Sequence, residues 1–192
     1  DRQGRRKPRA LPQFPGRVRQ RNRQGRVRCG GRQAGRSRQC GAVWAGQLRR
    51  RIAPGLPVVV ATKGIEDDTL LLPTEVAAAC LAPETPIAAI SGPSFAEEVA
   101  RGVPTAVIIA SPDAALARAI QDRLAGETLR LYTNVDVVGV QVAAALKNVV
   151  AIAAGIADGL GFGHNTVAAL ITRGLAEIRR LGVARGASPE TF

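Results

Sequence analysis

Between Asp136 and Asp158 lie 21 residues, mostly Ala, Val, Ile and Gly, and Lys147 is the one charge among them. Apolar side chains fall on every side of the helical wheel. No polar stripe marks a solvent face, so the pattern predicts a buried helix. The length would also suit a bilayer. Against that, a central lysine costs about 2.5–3.5 kcal/mol on insertion scales, and Gln141 and Asn148 add to the cost. A buried ammonium group loses hydration and must find a partner, reach a wet cavity or give up its proton. A lysine able to exist as a free amine near neutral pH suits a general base, whereas one that snorkels out along its stem does no chemistry. The helix alone leaves both open.

Charge divides the chain. Residues 1–51 hold 17 basic residues and one acid, whereas residues 52–192 hold 10 basic and 14 acidic residues. The net charge of +12 is therefore a property of the leader alone. That leader is rich in Arg, Gln and Gly and has no sustained apolar period, so it cannot offset the entropy of ordering and is expected to be disordered. Two further readings apply to it: an arginine-rich arm for nucleic-acid phosphates, or the product of a GC-rich gene read out of frame. The change of texture at Ile52 is abrupt, and beyond Phe14 and Trp44 no aromatic residue interleaves the arginines. Cys29, Cys40 and Cys80 are odd in number and lack CxxC spacing, so neither a disulfide framework nor a zinc site is indicated. No charged segment followed by an apolar core and a cleavage site opens the chain, so the expectation is a soluble, cytoplasmic protein.

From Leu56 the texture is α/β. Short β-branched runs predict strands over 57–62, 86–90, 105–110 and 128–132. Helices are expected over 73–81 with Pro73 at its first position, over 95–101, and up to Leu124 from a Ser111 cap. Alternation at this spacing predicts βαβ units and a mostly parallel sheet. Lys63 and the Ser91-Gly92-Pro93-Ser94 turn fall at carboxyl ends of strands, where such sheets hold ligands. Asn134 or Asp136 is expected to open the long apolar helix. A flexible loop over 159–165 and a second helix to Leu181, capped by Asn165 or Thr166, are expected to follow. The glycines at 159, 161 and 163 follow a helix rather than a strand, so they imply no phosphate turn. His164 is the only histidine and has no metal-ligand companions. The expected organisation is a leader (1–51), part of an α/β domain (52–134) and the start of a helical domain (135–192).

KGIE at 63–66, ISGPSFAEEVA at 90–100, the run LYTNVDVVGVQVAAALKNVVAIAAGIADGLGFGHNTVAALITRGLAEI at 131–178 and the closing TF carry a family likeness. Together they resemble bacterial-type NAD(P)-dependent glycerol-3-phosphate dehydrogenase, over about residues 55–192. The resemblance implies a Rossmann-type domain followed by an all-helical domain. It implies reversible hydride transfer between glycerol 3-phosphate and dihydroxyacetone phosphate, NAD or NADP as cofactor, a homodimer and a role in phospholipid synthesis. It makes Lys147 the catalytic general base and acid. It places Lys63 on substrate and cofactor, Gly92, Ser94 and Asn148 on substrate, and Ala96 near the nicotinamide nucleotide. The family opens with a strand and a G-x-G-x-x-G/A turn that no part of residues 1–51 contains. It also continues beyond a closing TF with an Asp, an Arg and an Asn that help bind substrate. The resemblance therefore implies an incomplete chain and favours a misread frame for the leader over a nucleic-acid arm.

Overall fold

β1 (Val58–Val60), β2 (Ile87–Ser91), β3 (Thr105–Ala110) and β4 (Leu129–Asn134) line up in that order in one sheet. They come from a computed structural model that describes residues 51–192 other than 54 and 68. The leader, apart from Arg51, lies outside the described residues.

β1 and β2 pair in parallel, as do β3 and β4, but β2 and β3 run antiparallel with Ser91 opposite Ile108. The sheet is thus mixed where a mostly parallel one was expected. The cause is the connection. Helix α2 (Ala96–Ala100) has five residues and buries none of them. At 1.5 Å per residue it spans about 7 Å, too little to carry the chain back along a six-residue strand of about 20 Å. The chain therefore returns beside β2 in the opposite sense.

Side-chain alternation along β3 sets the two layers. Val107 and Ile109 point to one face, where they pack with Ala88, Leu131 and with Ala117 and Ile120 of α3 (Ala114–Leu124). Ile108 and Ala110 point to the other, against Ala89 and against Val137 and Val140 of α4 (Val137–Gly159). A period of two feeding two helical layers is what places α4 across the sheet.

Local signals set the helix starts. α1 (Pro73–Cys80) has Pro at its first position, where the missing N–H costs nothing, and Glu75 accepts from the Leu72 N–H at 2.6 Å. α3 is capped by Asp113, whose carboxylate accepts from the Ala115 and Leu116 N–H groups, rather than by the expected Ser111. Ser111 is buried instead, accepting from the Asp113 N–H and donating to the Ile87 carbonyl. Asp136 caps α4 by accepting from the Gly139 N–H at 2.8 Å.

α5 (Gly163–Ala184) begins earlier than the sequence suggests, so only 160–162 connect the two long helices. Thr166 is not its cap, because its hydroxyl donates back to the Phe162 carbonyl four residues before. Arg173 and Arg180 both pair with Glu177 on its surface. Gly174 lets α5 approach α4, since a Cβ there would lie 2.7 Å from a Val150 methyl.

α4 is long and apolar enough to cross a membrane by length and composition. Its first turns nevertheless pack on β2 and β3, and α5 lies along it. The expectation of burial on all sides fails: Val140, Gln141 and Val142 are buried, whereas Val149, Ile152 and Ile156 are 58–65% exposed. A 23-residue helix is about 35 Å long, and the sheet beneath it is about 20 Å across. Among the described residues, the rest of α4 packs mainly along α5.

Candidate functional site

A hollow of about 300 Å³ opens where the β1 and β2 carboxyl ends meet α4. Both long helices, the strand ends, Ile108 of β3 and the C-terminal turn build it, with Leu175 and Ile178 coming from α5. Val140, Ala143, Ala144 and Lys147 line it from α4, at the i, i+3, i+4, i+7 spacing of one helix face. Lys63, Ser91 and Gly92 line it from the strand ends, and Thr191 and Phe192 close it from the C-terminal turn.

The Lys63 Nζ lies 3.5 Å from the Gly92 carbonyl, a long contact that aims the ammonium group along the turn. Gly92 has φ +151°, and a Cβ there would come within 2.9 Å of the Ala106 carbonyl and the Val107 Cα. Only glycine lets the turn lie this close to β3. The C-terminal turn is held by Asp136: its second carboxylate oxygen accepts from the Ser188 N–H at 2.9 Å and from the Thr191 hydroxyl at 2.5 Å. The residue that caps α4 therefore also seats the segment that closes the hollow.

Two lysines line the hollow and, among the described residues, no Asp or Glu side chain does, so its side chains favour an anion. Small residues at Gly92, Ala143 and Ala144 leave room for a short, polar ligand. Among the described residues no group of His, Cys, Asp and Glu could hold a metal ion, and His164 stands exposed on α5.

Of the residues singled out in the sequence, Lys63, Gly92 and Lys147 come together here. Ser94, Ala96 and Asn148 do not line the hollow, and all three side chains are exposed. Lys147 is exposed too, so the desolvation that made it a candidate base in the sequence is not supplied by the described residues. Thr191 and Phe192 were not singled out as site residues. The signal for them was the closing TF, which carried likeness but no chemistry of its own.

For a dinucleotide the residues present fit one end and not the other. Phe95, 72% exposed beside the turn, and Lys63 offer a flat apolar face and a cation at the strand ends. A pyrophosphate grip would need a glycine turn running from a strand directly into a helix N-terminus. Among the described residues none exists: β1 leads to α1 only after a loop over 61–72.

A family model described as NAD-dependent glycerol-3-phosphate dehydrogenase N-terminus matches residues 37–117, and its C-terminus counterpart matches residues 136–192. The first match begins inside the Arg-rich segment. A glycerol-3-phosphate dehydrogenase (NAD(P)+) of Geobacter sulfurreducens is 57% identical over 148 residues, covering 76% of this chain and 44% of the relative. One of Edwardsiella ictaluri is 54% identical over 147 residues, again covering 76% and 44%. The chain thus spans less than half the length of these relatives. The crystal structure of a glycerol-3-phosphate dehydrogenase from Coxiella burnetii superposes with a TM-score of 0.73 at 40% identity, covering 79% of this chain and 46% of that one. The alternative reading as a nucleic-acid-binding protein finds no support in these matches. By the two matched models, the relatives and the shared fold, this chain belongs to the NAD-dependent glycerol-3-phosphate dehydrogenase family.

Proposed function

We propose that the hollow between Lys63 and Lys147 is the substrate site of a glycerol-3-phosphate dehydrogenase using NAD or NADP. It would bind dihydroxyacetone phosphate in one direction and glycerol 3-phosphate in the other. The observation that carries this reading is the convergence of two lysines, from segments 84 residues apart in sequence, on one small hollow lined, among the described residues, by no Asp or Glu. That arrangement suits a short ligand bearing a phosphate.

Lys63 pairs with the anionic ligand and, with Ala96, borders the nicotinamide end of the cofactor. The turn at Gly92 borders the substrate directly, while the roles of Ser94 and Asn148, which stand exposed outside the hollow, are drawn from the family likeness: the first would hold the substrate and the second orient it from beside Lys147. When bound, nicotinamide supplies or accepts the hydride at C2. The Lys147 amine takes the C2 hydroxyl proton as the alcohol becomes a ketone, and its ammonium returns that proton in the reverse direction. Leu175, Ile178 and Phe192 give the hollow an apolar wall. A homodimer, a cytoplasmic location and a place in phospholipid synthesis belong to the same proposal, drawn from the family.

The test puts the matched 148-residue stretch into the Geobacter sulfurreducens relative in place of its own, giving the site a full-length context. NADH oxidation dependent on dihydroxyacetone phosphate is expected. A positioned acid–base group contributes about 10²–10⁴-fold, so Lys147→Ala should lower kcat at least about a hundredfold and leave NADH affinity unchanged. Lys147→Arg should not rescue, because a guanidinium keeps its proton. Lys63→Ala should raise KM for both ligands. An Lys147→Ala chimera retaining more than about a tenth of kcat would end the general-base assignment.

A further inference from the structure

Gln141 is a buried amide on α4, 5% exposed, on a face turned away from the hollow. Its Oε1 accepts from the Thr74 backbone N–H at 3.0 Å, and its Nε2 donates to the Thr74 hydroxyl at 2.7 Å and to the Val137 carbonyl at 3.2 Å. Thr74 is equally shut off from solvent, at 9%. The reason for this bridge lies in how α1 begins. The residue ahead of its first turn is Leu72, which has no side-chain oxygen to cap it, and Pro73 has no N–H to satisfy. Glu75 is committed to the Leu72 N–H. The Thr74 N–H would be a buried donor without a partner, a costly state, and the acceptor comes from a helix 67 residues further along the chain. Thus α4 caps α1.

A second link runs beside it, since Arg185 at the end of α5 reaches Glu75 at 3.3 Å. That pair is part-exposed and worth little by itself. The first turn of α1 is nonetheless held from both long helices, and it is the anchor of the loop that carries Lys63. The loop is internally tied by the Glu66 N–H to the Leu71 carbonyl and the Leu70 N–H to the Glu66 carbonyl, both at 2.9 Å. It ends at Leu72, which is 1% exposed. Lys147 sits on α4 six residues after Gln141. One side chain therefore joins the segment bearing one lysine to the helix bearing the other.

We infer that Gln141 is a positioning residue: by capping α1 in trans it sets the distance between Lys63 and Lys147 across the hollow. The inference deepens the substrate-site reading and rests on it for its functional meaning. Its geometric content is tested without turnover. The chain has three lysines, Lys7, Lys63 and Lys147, so an amine cross-link between the last two is identified by mass alone. Difluorodinitrobenzene serves as the short ruler and disuccinimidyl suberate as the long one.

The wild-type chain should link Lys63 to Lys147 with both reagents. Gln141→Leu keeps the volume and removes the acceptor. It should lower the short-to-long ratio about tenfold, the scale of losing one buried hydrogen-bonded bridge. Gln141→Glu retains an acceptor for both Thr74 groups and should stay within about twofold of wild type. A side chain that only filled space would give the opposite ranking, because a buried carboxylate is harder to accommodate than leucine. If Gln141→Leu does not fold, Thr74→Val, which deletes the hydroxyl that accepts from Gln141, is read in the same way. A wild type without the short link, a Gln141→Leu or Thr74→Val ratio equal to wild type, or a Gln141→Glu ratio as low as that of Gln141→Leu overturns the inference. Loss of the dehydrogenase reading alone would leave these cross-links unchanged.

Discussion

Ile109 and Ile152 are the same side chain in two surroundings. The first, next to the end of β3, has no exposed surface, and the second, in the latter half of α4, is 65% exposed. Their neighbourhoods differ in the same way. Both faces of the sheet are covered, by α3 on one side and by the start of α4 on the other, so Ala88, Ala110 and Val107 are shut away with Ile109. The two long helices cover one another along a seam, and Val149, Ile156 and Leu160 face outward. An apolar sequence specifies what a segment can bury. How much it does bury depends on how many elements reach it.

The largest expected effect breaks the comparison directly. Ile109→Ala removes buried methyl groups and leaves a cavity, and should cost about 2–5 kcal/mol in denaturant unfolding. Ile152→Ala should stay within about 0.5 kcal/mol of wild type. Equal costs at the two sites would show that the outer face of α4 is covered after all.

A second pair sharpens the contrast within the helical hairpin itself. Gly174→Ala drives a methyl into Val150 at the seam and should cost about 1–3 kcal/mol. Gly155→Ala, on the same pair of helices, meets no atom within 4 Å and should stabilise by about 0.4–1 kcal/mol through helix propensity and the unfolded chain. Thermal unfolding of the two variants separates seam from open face.

The smallest effect is at the C-terminal turn that joins the two regions. The Ser188 hydroxyl and the Glu190 backbone hold the Glu190 carboxyl below its ordinary value of 4.5. A depressed carboxylate favours the folded turn above its unfolded pKa, and that contribution is lost as pH falls through the folded value. The Thr191 and Phe192 amide resonances should therefore titrate with a midpoint below 4.5, and Ser188→Ala should move that midpoint up.

How far these features could be read in the sequence follows from their range. β3 occupies the predicted 105–110, because TAVIIA is rich in β-branched residues and lies between a proline and a serine. Lys63 and Lys147, which the fold brings to one hollow, were legible as candidates, one by its place after a strand and the other as a lone charge in an apolar helix. The antiparallel turn at β2 was present as a signal, in a helix too short to cross a sheet face. The exposure of Lys147 was not legible, since an apolar wheel does not say which faces find partners. Nor was the bridge from Gln141 to Thr74. No local pattern links a helix start to an amide 67 residues away, and the clue was negative: a leucine where a capping side chain would stand.

The most direct test of the central claim, that Lys63 and Lys147 share one site for a phosphate-bearing triose, is competitive acylation of the three lysines with and without dihydroxyacetone phosphate. A ligand at ten times its dissociation constant protects a bound site about tenfold. Lys63 and Lys147 should both slow by that factor at the same ligand midpoint, while Lys7, outside the described residues, keeps its rate. Unchanged rates at Lys63 and Lys147 under saturating ligand, or protection of one without the other, would contradict the shared site.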